Sequence, residues 1–129
     1  MPKTGRNRLL ALAGVGLLLL AGYLYAPVER FRLDSPGGNY TATVSSHRLW
    51  QLLRPFPFLY ARTPGHIHIH DKDGRSLGSI PVPRTYMAHQ LRWIEQGAHL
   101  RKVGAWNFHD GFYAYWNRAK TQLVLEEIH

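Results

Sequence analysis

The chain has 129 residues, no cysteine, eight histidines and a formal net charge of +8. The lack of cysteine excludes a disulfide-stapled domain and a cysteine lipid anchor, so the fold depends on packed aliphatic and aromatic side chains. Apart from Arg101-Lys102 the basic residues are scattered singly. They form no dense basic stripe, so no nucleic-acid partner is expected.

The first element is an uncharged, predominantly apolar stretch at residues 9–26. As a helix it would span ~27 Å, close to the ~30 Å hydrocarbon core of a bilayer. It shows no polar face of the kind that a core helix presents to water. A cleaved signal sequence is the alternative, but Pro27 directly follows the one small-residue cleavage candidate at Ala26. We expect a retained transmembrane helix that places residues 9–26 in the lipid bilayer.

The charges that flank this helix predict its orientation. Three basic residues and no acid precede it, whereas two acids offset two arginines just after it. The positive-inside rule therefore places residues 1–8 in the cytoplasm and exports residues 27–129, in a bacterium to the periplasm. The exported part carries +5 with neutral histidines, which can attract an acidic protein partner or anionic lipid headgroups. A solvated basic surface that faces the membrane is the alternative.

Beyond the helix the hydrophobic pattern has a period of two, which is typical of half-buried strands. Turn sequences rich in Gly, Asp and Asn interrupt it at regular intervals. Hairpins are expected at residues 29–46, 66–82 and 91–103, followed by a meander over 105–128. Roughly eight short strands predict an all-β domain, a small antiparallel sheet or sandwich of hairpins, with an open barrel as the alternative.

The alternation breaks over residues 47–63, which we call the aromatic loop. Pro55 and Pro57 prevent any regular helix from running through it. Three interpretations stay open: a flap over one side of the sheet, an exposed binding loop, or a segment resting on the bilayer surface. The partner-binding residues predicted here are Trp50, Phe56, Phe58 and Tyr60.

A second group of aromatic residues lies at 106–116. On a strand, Tyr113 and Tyr115 share one face, while Phe112 and Trp116 share the other. We predict that the two tyrosines contact a protein partner, because their rings are apolar and their hydroxyls polar. Packing against the next strand is the alternative.

Two turn motifs and one strand motif carry a resemblance. Ser35-Pro-Gly-Gly-Asn-Tyr40 resembles the SPDGxY turn of Tol-associated β-propellers, but it occurs once, and the chain is too short for a propeller. Together with D-x-D-G-R-x-L-G at residues 71–78 and Arg92-Trp93, it resembles a group of small bacterial proteins that have an N-terminal membrane helix. That group includes immunity-type proteins. The resemblance implies a periplasmic binding protein that neutralises an envelope-acting toxin sterically, or else an accessory subunit of an envelope complex.

His66, His68 and His70 alternate with isoleucines. On a strand the three imidazoles share one face at ~6.6–7 Å spacing, and a His-x-His pair can bind Zn²⁺, Cu²⁺ or Ni²⁺. This pattern predicts, as an alternative function, a periplasmic metal-binding accessory protein; otherwise no cofactor is expected. If Ile67 and Ile69 face the core, the histidines are simply the solvent face of the strand.

The sequence carries no recognisable catalytic motif. It has no cysteine nucleophile and no Gly-rich phosphate loop, and Ser45-Ser46-His47 lacks a nucleophile elbow. Glu126 and Glu127 are consecutive on a predicted strand, so their carboxylates point to opposite faces. We therefore expect a binding protein rather than an enzyme.

Overall fold

The computed structural model describes residues 2–117 and 121–128. Within them it has an N-terminal helix α1 (Pro2–Tyr25), a one-turn helix α2 (Pro57–Tyr60) and two 3₁₀ helices at Arg48–Leu53 and Thr85–Gln90. The strands are β1 (Pro27–Asp34), β2 (Tyr40–His47), β3 (Gly65–Asp71), β4 (Ser76–Val82), β5 (Arg92–Ile94), β6 (Gly97–Leu100), β7 (Gly104–Asn107), β8 (Phe112–Trp116) and β9 (Leu123–Glu127). The predicted all-β class behind one N-terminal helix is confirmed.

Helix α1 has the length and composition of a membrane span. Gly5–Tyr25 is the one stretch of the described chain that is long and apolar enough to cross a bilayer, and none of it is buried against the protein. The uncovered surface excludes the role of a core helix. A signal sequence has the same length and composition, so these properties establish a helix that could enter a membrane and nothing finer.

The strands form two antiparallel sheets, each a simple meander. Their orders are β1-β2-β3-β4 and β5-β6-β7-β8-β9. The predicted turn chemistry is confirmed in the first sheet, where Gly37, Gly38 and Gly74 have φ of 88°, 73° and 83°. Asp71 closes the second of these turns by accepting hydrogen bonds from the Asp73 and Arg75 amides. Local turn sequences therefore specify the pairing of successive strands.

The two sheets pack face to face on one hydrophobic core. Its buried members come from the inner faces of both sheets and their connections: Ala42, Val44, Ile67, Ile69, Leu77, Ile80, Val82, Ala88, Ala98, Leu100, Val103 and Trp106. Two glycines permit close approach between the sheets. Gly78 lies against the ring of Tyr113, and Gly104 lies against the side chain of Ile80. The close packing of the two sheets therefore depends on the absence of side chains at Gly78 and Gly104.

The third hairpin differs from its prediction by a shift of the turn. The sequence predicts the turn of this hairpin at residues 96–98, between strands at 91–95 and 99–103. Instead Gln96 takes the positive φ of 56°, and β6 begins at Gly97. A Cβ at Gly97 would clash with the Trp106 carbonyl on the neighbouring strand. Gly97 is thus required for strand packing and not for the turn.

A second difference is a bulge in β1. The register shifts between Glu29 and Phe31, so Arg30 does not point outward with Arg32, as a strict alternation predicts. Its Nη1 donates to Thr63 Oγ1 (2.6 Å) and Thr85 Oγ1 (2.8 Å), and its Nη2 donates to the Tyr60 carbonyl (2.7 Å). The guanidinium also lies 3.5 Å above the Tyr60 ring. Arg30 thereby joins the first strand to the aromatic loop and to the second 3₁₀ helix.

The replacement Arg30→Ala is expected to lower the free energy of unfolding by about 2–4 kcal/mol, because it removes three charge-assisted hydrogen bonds to partly buried oxygens and the contact with the Tyr60 ring. Arg32→Ala is the matched control, since its ion pair with Glu29 is exposed and such pairs contribute about 0–1 kcal/mol. Urea unfolding of the full chain in mild detergent, followed by tryptophan fluorescence, measures both. Equal midpoints for the two variants would contradict the role of Arg30.

The replacement Gly78→Ala tests the close packing between the two sheets. Gly37→Ala is the control, because both glycines have positive φ but only Gly78 has a neighbour that a Cβ would meet. The control isolates the backbone strain of about 1–2 kcal/mol. We expect Gly78→Ala to be less stable than the control by a further 1–3 kcal/mol or so, owing to overpacking against Tyr113. Indistinguishable urea midpoints would contradict the close approach.

Candidate interaction surfaces

The outer face of the five-stranded sheet exposes large apolar side chains. On β8, Phe112 and Trp116 point to solvent, with Trp116 41% exposed. On β9, Leu123 pairs with Trp116, and Leu125, which is 67% exposed, pairs with Ala114. We call these five residues the apolar face. Exposed apolar patches on small proteins commonly mark interaction sites.

The apolar face has a basic end. One cross-strand row runs over all five strands through Arg92, His99, Ala105, Ala114 and Leu125. Arg92 and His99 are exposed on β5 and β6, and Leu125 is exposed on β9. The row therefore passes from the exposed Arg92 at one edge of the sheet to the exposed Leu125 at the other. A partner that matches it combines apolar side chains with acidic ones.

A cleft of about 270 Å³ lies beside the apolar face, at the end of the sandwich. Trp116 and Lys102 line it together with three prolines at positions 64, 81 and 83. Its volume is just below the ~300–1,000 Å³ typical of small-molecule sites. It suits the insertion of one partner side chain, next to the exposed Trp116.

The expected outward orientation of Tyr113 and Tyr115 is wrong. Both tyrosines pack against the core, and their rings stack on each other with centroids 6.2 Å apart. The Tyr113 ring fills the space that Gly78 leaves, and burial raises the pKa of its hydroxyl. The two tyrosines do alternate with Phe112 and Trp116 along β8, but the tyrosines lie on the core side of the strand. Trp116 and Leu125, which no sequence argument selected, hold the exposed positions.

The aromatic loop brings the other four predicted residues together. Trp50 and Tyr60 are half-buried on its inner side, whereas Phe56 and Phe58 are exposed, with Phe58 67% exposed. The loop begins at the C-terminal end of α1, where His47 Nδ1 donates to the Tyr25 carbonyl at 2.6 Å. It thus covers the end of the sandwich with one side and leaves an apolar side open.

The histidine strand faces outward. Ile67 and Ile69 are fully buried, so the alternating histidines lie on the outer face of the four-stranded sheet. The rings of His68 and His70 stack with centroids 4.2 Å apart, and His68 Nε2 lies 2.7 Å from Ser76 Oγ. Among residues 2–117 and 121–128, no group of three or more His, Asp or Glu side chains is placed to hold a metal ion. The metal interpretation stays a prediction.

The stability of the domain is expected to fall as the pH drops through the range below about 6.5. Burial and the neighbouring His70 lower the pKa of His68, so the unfolded chain binds its proton more readily than the folded chain does. The contribution of His68 to stability is complete above the pKa that it has in the unfolded chain. It is lost as the pH falls through the lower pKa that it has in the folded chain.

Urea midpoints at pH 8 and pH 5 measure this dependence. The His68→Gln variant should show a smaller difference between its two urea midpoints than the wild type does. His99→Gln, on the exposed face of the other sheet, should show the same difference as the wild type. The same pH dependence in both variants would contradict the role of His68.

No protein-family model, no curated protein and no solved structure matches this chain. Its function is therefore inferred from its own surfaces. The described residues present two exposed apolar surfaces. One is the apolar face of the five-stranded sheet, with the exposed Glu127 opposite Phe112 and Arg92 at the far edge. The other is the outer side of the aromatic loop, where Arg62 lies over the Phe58 ring.

Proposed function

We propose that this protein is a single-pass membrane-anchored binding protein whose β sandwich captures a protein partner in the bacterial periplasm. The proposed anchor is α1. It is supported by the uncovered apolar surface of this helix and by the basic residues, unaccompanied by acids, that precede it. Tyr23 and Tyr25 at its outer end suit the headgroup region of a bilayer.

The apolar face is the observation that carries the proposed binding role. It combines an exposed tryptophan and two exposed leucines with a basic end on the same sheet. Burying such a surface against a partner gains ~25 cal/mol per Å² of apolar area, and Arg92 adds attraction to acidic side chains. The partner we propose is a protein with an apolar patch beside carboxylates.

The most concrete form of this role is an immunity-type protein that blocks an envelope-acting toxin sterically. The resemblance of its turn motifs to small immunity-type envelope proteins favours this form over an accessory subunit of an envelope complex. Binding rather than catalysis is supported by the structural use of the acids: Asp71 holds a turn, and Glu29 is paired with Arg32.

Genetic complementation in the bacterial host tests this role. Deleting the gene should make the cell sensitive to a toxin of its neighbours or of its own, and the wild-type gene should restore protection. Leu125→Asp should weaken toxin binding at least about tenfold, since it buries an unpaired carboxylate in the interface. Lys72→Asp, in the exposed β3–β4 turn, is the matched control and should protect fully.

Three results contradict parts of the proposal, two from the complementation experiment and one from photo-crosslinking. A deletion strain without sensitivity to any neighbouring toxin excludes the immunity role. Equal protection by both aspartate variants, at equal membrane levels, excludes the apolar face as the contact. A photo-crosslinking residue at position 125 that captures an envelope subunit instead of a toxin replaces the immunity role with that of an accessory subunit.

A further inference from the structure

The aromatic loop leaves a second apolar surface that the proposed partner does not use. Leu52 and Phe58 are each 67% exposed, and Phe56 and Leu59 beside them are exposed as well. They belong to the first 3₁₀ helix, to α2 and to the short connection between them. Four large apolar side chains in so short a segment require an apolar environment of their own.

The position of this surface identifies that environment. The Arg48 guanidinium lies 4.1 Å from the centre of the Tyr23 ring, and the Arg48 amide donates to the Ala26 carbonyl at 2.9 Å. Tyr23 lies in the last turn of α1 and Ala26 directly follows it. The loop therefore sits at the level where a spanning helix leaves the hydrocarbon core and enters the headgroups.

The loop is held in this position by its inner side. Arg30 binds the Tyr60 carbonyl and covers the Tyr60 ring, while the Tyr86 amide and Thr85 Oγ1 donate to the Ala61 carbonyl. These bonds fix the backbone behind Phe58 and Leu59. The exposed side chains are thus presented by a supported segment, which keeps them from folding back into the core.

The charges of the loop fit lipid headgroups. Residues 47–63 contain three arginines, at 48, 54 and 62, and no Asp or Glu. Arg62 lies 3.9 Å from the centre of the Phe58 ring, so a cation and an apolar ring share one location. Arginines that flank apolar side chains are typical of segments at the interface of anionic bilayers.

We propose that the aromatic loop lies in the headgroup region as a second membrane contact beside α1. This inference rests on the proposed membrane anchor. It assigns Phe56 and Phe58, predicted from the sequence as partner contacts, to lipid rather than to protein. It also fixes the orientation of the sandwich relative to the bilayer, because α1 and the loop contact the membrane at two different points.

Single nitroxide labels test the proposal in the full chain, whose lack of cysteine makes each introduced thiol unique. The variants Leu52→Cys and Phe58→Cys report on the loop. Leu125→Cys is the matched control, because Leu52 and Leu125 are both 67% exposed leucines. The protein is reconstituted into vesicles of phosphatidylethanolamine and phosphatidylglycerol. Collision rates with oxygen, which favours lipid, and with a water-soluble nickel chelate are then measured by power saturation.

Labels at positions 52 and 58 should show an oxygen-to-nickel collision ratio several times that at position 125. A ratio equal to that at position 125 overturns the proposal. The proposal is also overturned if position 52 is protected from the nickel chelate only after a protein partner is added.

A fourth label, at Leu17→Cys, separates this proposal from the anchor itself. If position 17 is lipid-exposed and position 52 is water-exposed, the loop contact fails and the anchor stands. If position 17 is accessible to the nickel chelate, both fail together.

Discussion

The position of the aromatic loop depends on the guanidinium of Arg30. This guanidinium lies at a bulge in the first strand after α1 and binds groups from the aromatic loop and from the second 3₁₀ helix. Without it, the C-terminal part of the loop would be held mainly by hydrogen bonds to residues 85 and 86 of the second 3₁₀ helix. One cation thus couples the first strand after α1 to the aromatic loop, and the outer side of that loop keeps its position because of this coupling.

The pairing of strands could be predicted from the sequence because turn chemistry is local. Gly37, Gly38 and Gly74 take the left-handed conformations that their motifs require, and successive hairpins then follow. The bulge at Arg30 could not be predicted in this way. A strict alternation over residues 29–34 is the simplest pattern, and the groups that stabilise the inward orientation, on Tyr60, Thr63 and Thr85, lie far along the chain.

At the apolar face, too, a local pattern could be predicted from the sequence, whereas its orientation depends on contacts with residues far along the chain. Alternation separates Tyr113 and Tyr115 from Phe112 and Trp116, but both sets are aromatic, so composition does not indicate which one is buried. The other sheet decides it, since Gly78 leaves room for the ring of Tyr113. The histidine strand was easier, because its two faces differ in polarity and the isoleucines take the core side. Surface prediction therefore fails where both faces of a strand have equal hydrophobicity.

The junction between α1 and β1 limits how far the sandwich can move. The helix ends at Tyr25 and the strand begins at Pro27, so Ala26 alone separates them, a contour of ~4 Å. A flexible tether of thirty residues would give a root-mean-square reach of ~30 Å. If α1 is the proposed anchor, the domain has no such tether, and the proposed capture of a partner is confined to the thin aqueous layer next to the lipid. The proposed partner then has to enter that layer to be bound.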